Sequence, residues 1–147
     1  MWQGIAQPDT RNQGLTATLT LCSGSSTDYS SQVTTDQNGN VSPITGLPDG
    51  SYGWKIKGRK QLATGGTLTL SGGVTTQEFG LQRAGDCDNN IVNTPDFNIL
   101  KNTFGRSVGQ SGYDERADFD NNNTVNTLDF NIQRSNFGQA GVGLTCP

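Results

Sequence analysis

The sequence predicts two modules, an all-β sandwich of about seven strands over residues 1–82 and a small all-α module over residues 85–147, joined by a linker at 83–84. The first prediction comes from short stretches of alternating apolar and polar residues separated by turn residues, a pattern typical of strands with one buried face. The second comes from an acidic loop followed by a helical pattern, which occurs twice after residue 85. A chain of 147 residues is long enough for one ordinary domain or two small ones.

The distribution of charge also separates the two parts of the chain. Residues 1–83 hold six Lys and Arg against five Asp and Glu, a net charge of +1, whereas residues 84–147 hold four against eight, a net charge of −4. The basic residues form no patch, so we do not expect a nucleic acid partner. No apolar run approaches the roughly 20 residues of a membrane span. The chain contains no His, which removes the commonest general base, so we expect no enzyme.

Five stretches of the first part have the composition of strands. They are residues 15–22, 41–45, 52–57, 67–70 and 75–81. Tyr52 and Trp54 alternate with Gly53 and Lys55, so we expect both aromatic rings in the core and Trp2 on an edge strand. The alternative is that Trp2, Tyr52 and Trp54 form a sugar-stacking platform, which would make the first part a carbohydrate-binding module.

Two neighbouring segments of the first part resemble a known family of sandwiches. Residues 34–41 read TTDQNGNV and residues 44–52 read ITGLPDGSY. These segments are similar to the carboxypeptidase-regulatory-like, transthyretin-like family. The resemblance implies a β-sandwich with an accessory or structural role in a secreted protein, and it implies no catalytic activity.

The second acidic loop has the spacing of a calcium site. Calcium is enclosed by oxygen ligands at loop positions 1, 3, 5 and 12, together with a backbone carbonyl at position 7. In residues 118–129 these positions are held by Asp118, Asp120, Asn122 and Asp129, with the carbonyl of Thr124. Gathered carboxylates repel one another unless a divalent cation lies among them, and neutral amide oxygen suits calcium better than zinc. The spacing therefore predicts that this loop binds Ca²⁺.

Each loop is followed by the signals of a short helix. Thr94 is the expected N-cap of the first helix, with Pro95 at its first position. Phe97 and Phe104 fall on one helical face. The matching residues of the second copy are Thr127, Phe130 and Phe137. We expect all four Phe side chains in the core, where they would pack the two helices against each other.

Residues 85–139 as a whole resemble a second family. The residues that carry the resemblance are Gly85, Asp86, Asn90, Val92, Asn93, Asp96 and Phe97 in the first copy and Ala117, Asp118, Phe119, Asp120, Val125, Asn126, Asp129 and Phe130 in the second. They are similar to a dockerin domain of type I character. The resemblance implies an EF-hand-like calcium module that docks a secreted protein onto a cohesin partner. It places a first calcium ion on Asp86, Asp88, Asn90 and Asp96.

The first loop is one residue shorter than the second. Residues 86–96 number 11, whereas residues 118–129 number 12. Counted back from Asp96, Ile91 matches Thr124, so the Ile91 carbonyl is the expected substitute ligand. A β-branched residue avoids the left-handed conformation that a tight turn requires. We therefore expect this loop to close differently, and we predict two Ca²⁺ sites of unequal affinity.

The dockerin resemblance also implies which residues face the partner and how the cysteines pair. In that family two positions at the start of each helix help to select the cohesin. The predicted contacts are Thr94, Pro95, Lys101, Thr127, Leu128 and Arg134. Dockerin-like termini tend to lie close together, which favours a Cys87–Cys146 disulfide. The composition alone permits one disulfide with a leftover thiol, or three free thiols.

The sequence therefore predicts a non-catalytic module that anchors a larger secreted protein by calcium-dependent docking to a cohesin-like protein. One alternative is a carbohydrate-binding sandwich with a structural calcium appendage. The other is an intramolecular stalk or spacer. The residues after Met1 lack a signal peptide, so we expect a fragment of an extracellular or cell-surface protein.

Overall fold

The computed structural model describes residues 1–146. Its strands and α-helices are β1 (Thr16–Ser23), β2 (Ser26–Thr34), β3 (Gly50–Gly58), β4 (Thr64–Leu70), α1 (Thr94–Thr103) and α2 (Thr127–Asn136). The strands form one antiparallel sheet in the order β2-β1-β3-β4. The helices follow the sheet in the chain, and each begins directly after an acidic loop.

The core of the first part lies on one face of this sheet. Alternation along β1 and β3 buries every second side chain, and the register places Leu19 opposite Ile56. Tyr52 and Trp54 are 6% and 7% exposed, which confirms their prediction as core residues. The ring of Phe79 packs edge-on against Trp54 with the centroids 5.1 Å apart. The aromatic ring that covers Trp54 therefore comes from an irregular segment and not from a second sheet.

The predicted fold class, a seven-stranded sandwich followed by a separate all-α EF-hand-like module, is wrong. The described residues form one four-stranded sheet with two short helices. Residues 41–45 and 75–81 are not strands, and Val41 makes only an isolated bridge with Thr35. Pro43 removes a backbone donor from the first of these segments. The polar strand β2 has little buried surface, so the alternation that identified the other strands is missing there.

Residues 82–85 do not form a free linker between the two parts. The N–H of Gln82 donates to the carbonyl of Met1 (2.8 Å), and the N–H of Leu62 donates to the carbonyl of Arg83 (2.7 Å). Gln82, Ala84 and Gly85 are buried. These contacts hold the segment against both residue 1 and the β3–β4 connection. The division of the chain into residues 1–82, a linker at 83–84 and residues 85–147 stays a prediction.

The predicted Phe core is also wrong, because the helices turn another face inward. Asp96 accepts a hydrogen bond from the N–H of Cys87 (2.7 Å), and Asp129 accepts one from Phe119 (2.6 Å). Each aspartate must therefore face its own loop, and the next residue lies about 100° round the helix. Phe97, Phe104 and Phe137 are 36%, 49% and 54% exposed, and Phe130 is half-buried. The buried residues are Asp96, Leu100 and Thr103 in α1 and Asp129, Gln133 and Asn136 in α2.

The N-cap of α1 is Asn93, so Thr94 is the first helical residue rather than the predicted cap. The Asn93 N–H donates to Asp96 Oδ2 at 2.8 Å. In α2 the cap is Asn126, whose side-chain oxygen accepts a hydrogen bond from the N–H of Leu128 at 2.7 Å. Both helices thus start on an asparagine whose backbone N–H donates to the aspartate three residues later.

The predicted Cys87–Cys146 disulfide is wrong. Cys146 pairs with Cys22 of β1, and the Cα atoms are 5.8 Å apart. The chain end reaches β1 because the tail runs back along the sheet, where the N–H of Val142 donates to the Ala63 carbonyl at 3.0 Å. Cys22 is buried next to Leu21, because a register shift between these two residues interrupts the alternation of β1. Cys87 is a free, buried thiol, and burial raises its pKa.

Candidate metal centres in the two loops

Two carboxylate clusters mark the candidate site. Asp86, Asp88 and Asp96 form the first, and Asp118, Asp120 and Asp129 form the second. Within each cluster one oxygen of every residue lies within 4.8 Å of the others. All of these side chains except Asp88 are buried. Three carboxylates at this spacing repel one another strongly unless positive charge lies among them.

The second loop folds around its own backbone N–H groups. Asp129 accepts hydrogen bonds at both oxygens, from the N–H of Phe119 (2.6 Å) and of Asn126 (2.8 Å). Asp118 accepts the N–H of Asn122 at 3.1 Å. The turn between Asp118 and Asp129 contains residues 121 and 123, which have φ angles of 53° and 68°. Asn tolerates this left-handed conformation better than most residues, which explains the Asn-rich loop.

The first loop repeats this pattern with one residue fewer. Asp96 accepts the N–H groups of Cys87 (2.7 Å) and Asn93 (2.8 Å), as Asp129 does in the second loop. The Ile91 N–H donates to Asn89 Oδ1 at 3.2 Å. This bond matches the one from Thr124 to Asn122 Oδ1 at 2.9 Å. Asn89, and not the predicted Asn90, is therefore the counterpart of Asn122.

The side chain of Asn90 makes hydrogen bonds outside the loop, so the prediction that Asn90 is a calcium ligand is corrected. Its Oδ1 accepts the N–H of Ala63 at 2.7 Å, and its Nδ2 donates to the Val142 carbonyl at 2.9 Å. The side chain thus joins the β3–β4 connection to the C-terminal tail. Asn90 has a φ of 68°, so it takes the left-handed position and Ile91 does not. The missing residue is the counterpart of Asn121, because Asp88 matches Asp120 when counted forward from Asp86 and Asn89 matches Asn122 when counted back from Asp96.

Backbone hydrogen bonds join the two copies of the loop-helix pattern. Val92 of the first loop donates to the carbonyl of residue 139 (2.9 Å) and accepts the N–H of residue 138 (2.8 Å), both beyond α2. Val125 of the second loop donates to residue 106 (2.9 Å) and accepts from residue 105 (2.8 Å), both beyond α1. Each loop is therefore paired with the segment that follows the other helix. These hydrogen bonds connect the two candidate metal centres through the backbone.

Basic side chains from the first part of the chain contact both loops, and no local sequence pattern predicted these contacts. The Lys57 Nζ lies 2.6 Å from Asp86 Oδ2. The Lys60 Nζ donates to the carbonyl of Asp118 and to the side-chain oxygen of Asn121, both at 2.6 Å. Arg11 Nη1 donates to the carbonyl of Asp120 at 3.1 Å and lies 3.8 Å from its Oδ2. Burial lowers the pKa of Lys60. Lys57 of β3, Lys60 of the β3–β4 connection and Arg11 before β1 thus supply positive charge to the acidic loops.

The buried carboxylates have shifted proton affinities. Burial raises the pKa of Asp129 to about 6, although the N–H groups of Asn126 and Phe119 oppose the shift. Burial also raises the pKa of Asp96 and of Asp120. A proton therefore competes effectively with a cation at these positions.

This competition predicts the pH dependence of calcium binding. The pKa of Asp129 rises from the usual 3.8 to about 6 in the folded, metal-free chain. Its contribution to metal-free stability is therefore fully present below pH 3.8 and is lost as the pH rises through 6. Calcium affinity should change in the opposite sense, falling as the pH is lowered from 7.5 to 5. Calorimetric titration in two buffers of different ionisation enthalpy would count the released protons, and an affinity that is constant over this range would contradict the prediction.

The residues fit a hard, oxygen-liganded cation such as calcium. The donor set is carboxylate, amide and carbonyl oxygen, the set that calcium prefers. Asp86 Oδ2 is buried and accepts no well-directed hydrogen bond from residues 1–146, although the Lys57 ammonium lies 2.6 Å from it. A buried carboxylate oxygen in this setting attracts a cation.

The predicted partner-facing residues all lie at the surface. They are Thr94, Pro95, Lys101, Thr127, Leu128 and Arg134. On α1 the residues Thr94 and Lys101 share a face with Phe97, and on α2 Arg134 shares a face with Phe130. The rings of Phe97 and Phe130 are in edge contact, with their centroids 6.4 Å apart. The two helix faces therefore meet in one continuous surface.

The aromatic platform proposed for a carbohydrate partner does not form. Trp2, Tyr52 and Trp54 are all less than a tenth exposed. Trp2 makes an isolated bridge with Gln82 instead of belonging to an edge strand. Among residues 1–146, no helix is long and apolar enough to cross a membrane.

The fold is one that occurs in chains of cohesin–dockerin complexes. One such structure is a C-terminal interface mutant of a type II cohesin–X-dockerin complex from Acetivibrio cellulolyticus. A chain of it matches with a TM-score of 0.64 and 19% identity, over 85% of this chain and 83% of that one. An N-terminal interface mutant of the same kind of complex matches with a TM-score of 0.64 and 21% identity over the same shares. No protein-family model and no curated protein matches the sequence.

Proposed function

We propose that this chain is a non-catalytic, calcium-dependent docking module of the dockerin kind, which joins a larger secreted protein to a cohesin-like partner. The observation that carries the proposal is the pair of carboxylate clusters, each built on the same backbone hydrogen bonds. The likeness to chains of cohesin–X-dockerin complexes supports it. The disulfide between Cys22 and Cys146 supports an extracellular location.

Two Ca²⁺ ions are the proposed ligands. The residues that would hold the first are Asp86, Asp88, Asn89 and Asp96 with the Ile91 carbonyl, and those for the second are Asp118, Asp120, Asn122 and Asp129 with the Thr124 carbonyl. A bound calcium ion supplies the positive charge that removes the repulsion within each cluster. Asp96 and Asp129 also accept the N–H groups of the N-cap residues Asn93 and Asn126, so a cation that neutralises each cluster would stabilise the start of α1 and α2.

The proposed docking surface is formed by exposed apolar side chains on the two helices and on the residue that directly follows each helix. Phe97, Phe104, Leu128 and Phe137 are between 36% and 56% exposed. Large apolar side chains at the surface mark contact sites when they cluster. The basic residues Lys101 and Arg134 flank this surface. The proposed occupant is the apolar, acid-rimmed face of a cohesin-like protein.

A second candidate function is the receiving side of such a complex. The solved structures contain both a cohesin and an X-dockerin, and their likeness to this chain shows the fold alone. A chain on the receiving side would bind a dockerin instead of a cohesin. The two candidates therefore differ in which isolated partner is retained.

Binding to isolated type II cohesin and to isolated dockerin, each in calcium and in EDTA, tests the proposal. We expect retention of the cohesin in calcium only. Phe97→Ala should weaken binding by about tenfold or more, because Phe97 lies where the two helix faces meet and an apolar contact at such a position contributes about 2 kcal/mol. Val74→Ala is the matched control, since Val74 is 97% exposed and lies outside the helices. Retention of the dockerin would favour the second candidate, and retention of neither would contradict both.

A further inference from the structure

The ammonium group of Lys57 places a positive charge next to the carboxylates of the first loop. Lys57 projects from β3, and its side chain is 20% exposed. Its Nζ lies 2.6 Å from Oδ2 of Asp86, whose side chain is fully buried. The same nitrogen donates to the Gly58 carbonyl at 2.9 Å. Because Asp86 Oδ2 has no well-directed hydrogen bond from residues 1–146, the contact with Lys57 is an interaction of charges.

The second loop differs at the equivalent position. Asp118 Oδ2 accepts the hydroxyl of Tyr113 and the N–H of Asn123, both at 2.9 Å and both neutral. Lys60 donates to the backbone carbonyl of Asp118 rather than to its carboxylate. Arg11 is 3.8 Å from the Asp120 carboxylate, farther than Lys57 is from Asp86. The closest cation-to-carboxylate contact in either loop is therefore in the first.

Calcium and the Lys57 ammonium would compete for the same oxygen. Calcium binds oxygen at about 2.3–2.6 Å, which is as close as the Lys57 nitrogen already lies to Asp86 Oδ2 at 2.6 Å. A calcium ion on this oxygen would meet a like charge in a buried setting, where electrostatic repulsion is large. Lys57 also offsets part of the charge of Asp86, Asp88 and Asp96, and calcium affinity depends on that charge.

We infer that Lys57 is a built-in cation of the first loop, which keeps that loop ordered without calcium and lowers its calcium affinity relative to the second loop. The inference rests on the proposed function, since it assumes that the chain binds calcium. It adds a division of roles. The second loop responds to calcium, whereas the first attaches α1 to the sheet at all calcium concentrations.

Calcium titration of Lys57→Gln tests the inference. The wild type should show one tighter and one weaker site. The glutamine variant should raise the affinity of the weaker site at least about tenfold, leaving the tighter site unchanged, because the competing charge is gone. In EDTA the variant should melt at a lower temperature than the wild type. Lys55→Gln is the matched control, since Lys55 lies two residues earlier on β3 and makes no ion pair among residues 1–146. Lys57→Arg keeps the charge and should retain the wild-type affinities.

The outcomes separate the inference from the proposed function. If the wild type binds no calcium, the proposed function fails. If the wild type binds calcium but Lys57→Gln leaves the weaker site and the EDTA melting point unchanged, the inference fails and the function stands. A Lys57→Gln chain that folds only with calcium supports the inference. If Lys57→Gln does not fold even with calcium, the calcium affinities are measured for Lys57→Met, whose side chain keeps the apolar length of lysine. A weaker site that gains no affinity in Lys57→Met would contradict the inference.

Discussion

Asp118→Ala should lose calcium binding at the second loop and, with it, docking to the partner. Asp118 is the first ligand position of that loop, and its carboxylate accepts the N–H groups of Asn122 and Asn123. The change removes both a ligand charge and two contacts that shape the loop. Loss of a metal-supporting group typically costs 10–100-fold in affinity, so loss of a direct ligand should cost about 100-fold or more. Calorimetry with calcium and retention on immobilised cohesin measure the two effects.

The control for this substitution is an aspartate far from the loops. Asp28 lies on the exposed strand β2, so Asp28→Ala should leave both calcium affinity and docking as in the wild type. Asp118→Asn, which keeps the shape of the side chain, should show the same losses in weaker form. Docking that survives Asp118→Ala unchanged would disconnect the calcium ion from the interface and refute the proposed coupling.

Calcium removal should lower the thermal stability of the whole chain. The carboxylates of each cluster lie within 4.8 Å of one another, and five of the six are buried. Without the ion this repulsion, which Lys57 offsets only in part and only in the first cluster, acts against folding. A ligand at about 1,000 times its Kd stabilises the folded state by roughly 4 kcal/mol. For a chain of this size that amounts to an increase in Tm of about 10 °C.

Melting curves in millimolar calcium and in EDTA measure this difference. Magnesium at the same concentration is the control cation, because it prefers a smaller octahedral shell and should restore little of the stability. Equal melting temperatures in calcium and EDTA would show that basic residues such as Lys57 and Lys60 already balance both clusters.

The duplicated loops were predictable because their pattern is local in sequence. The order of Asp and Asn determines which oxygens meet, and Asp118, Asp120 and Asp129 come together as their spacing predicts. Tyr52 and Trp54 were likewise predictable, since alternation along one strand fixes which side chains share a face. These features depend on neighbours within about a dozen residues.

The tertiary structure decided what depends on contacts between distant segments. Helical spacing placed the four Phe residues on one face, but it did not say which face turns inward. The bond from Cys87 to Asp96 decides that, and it leaves Phe97 exposed. The pairing of Cys22 with Cys146 and the approach of Lys57 to Asp86 join residues far apart in the chain. Such pairings follow from how the tail and the sheet pack against the loops, and no local pattern in the sequence encodes them.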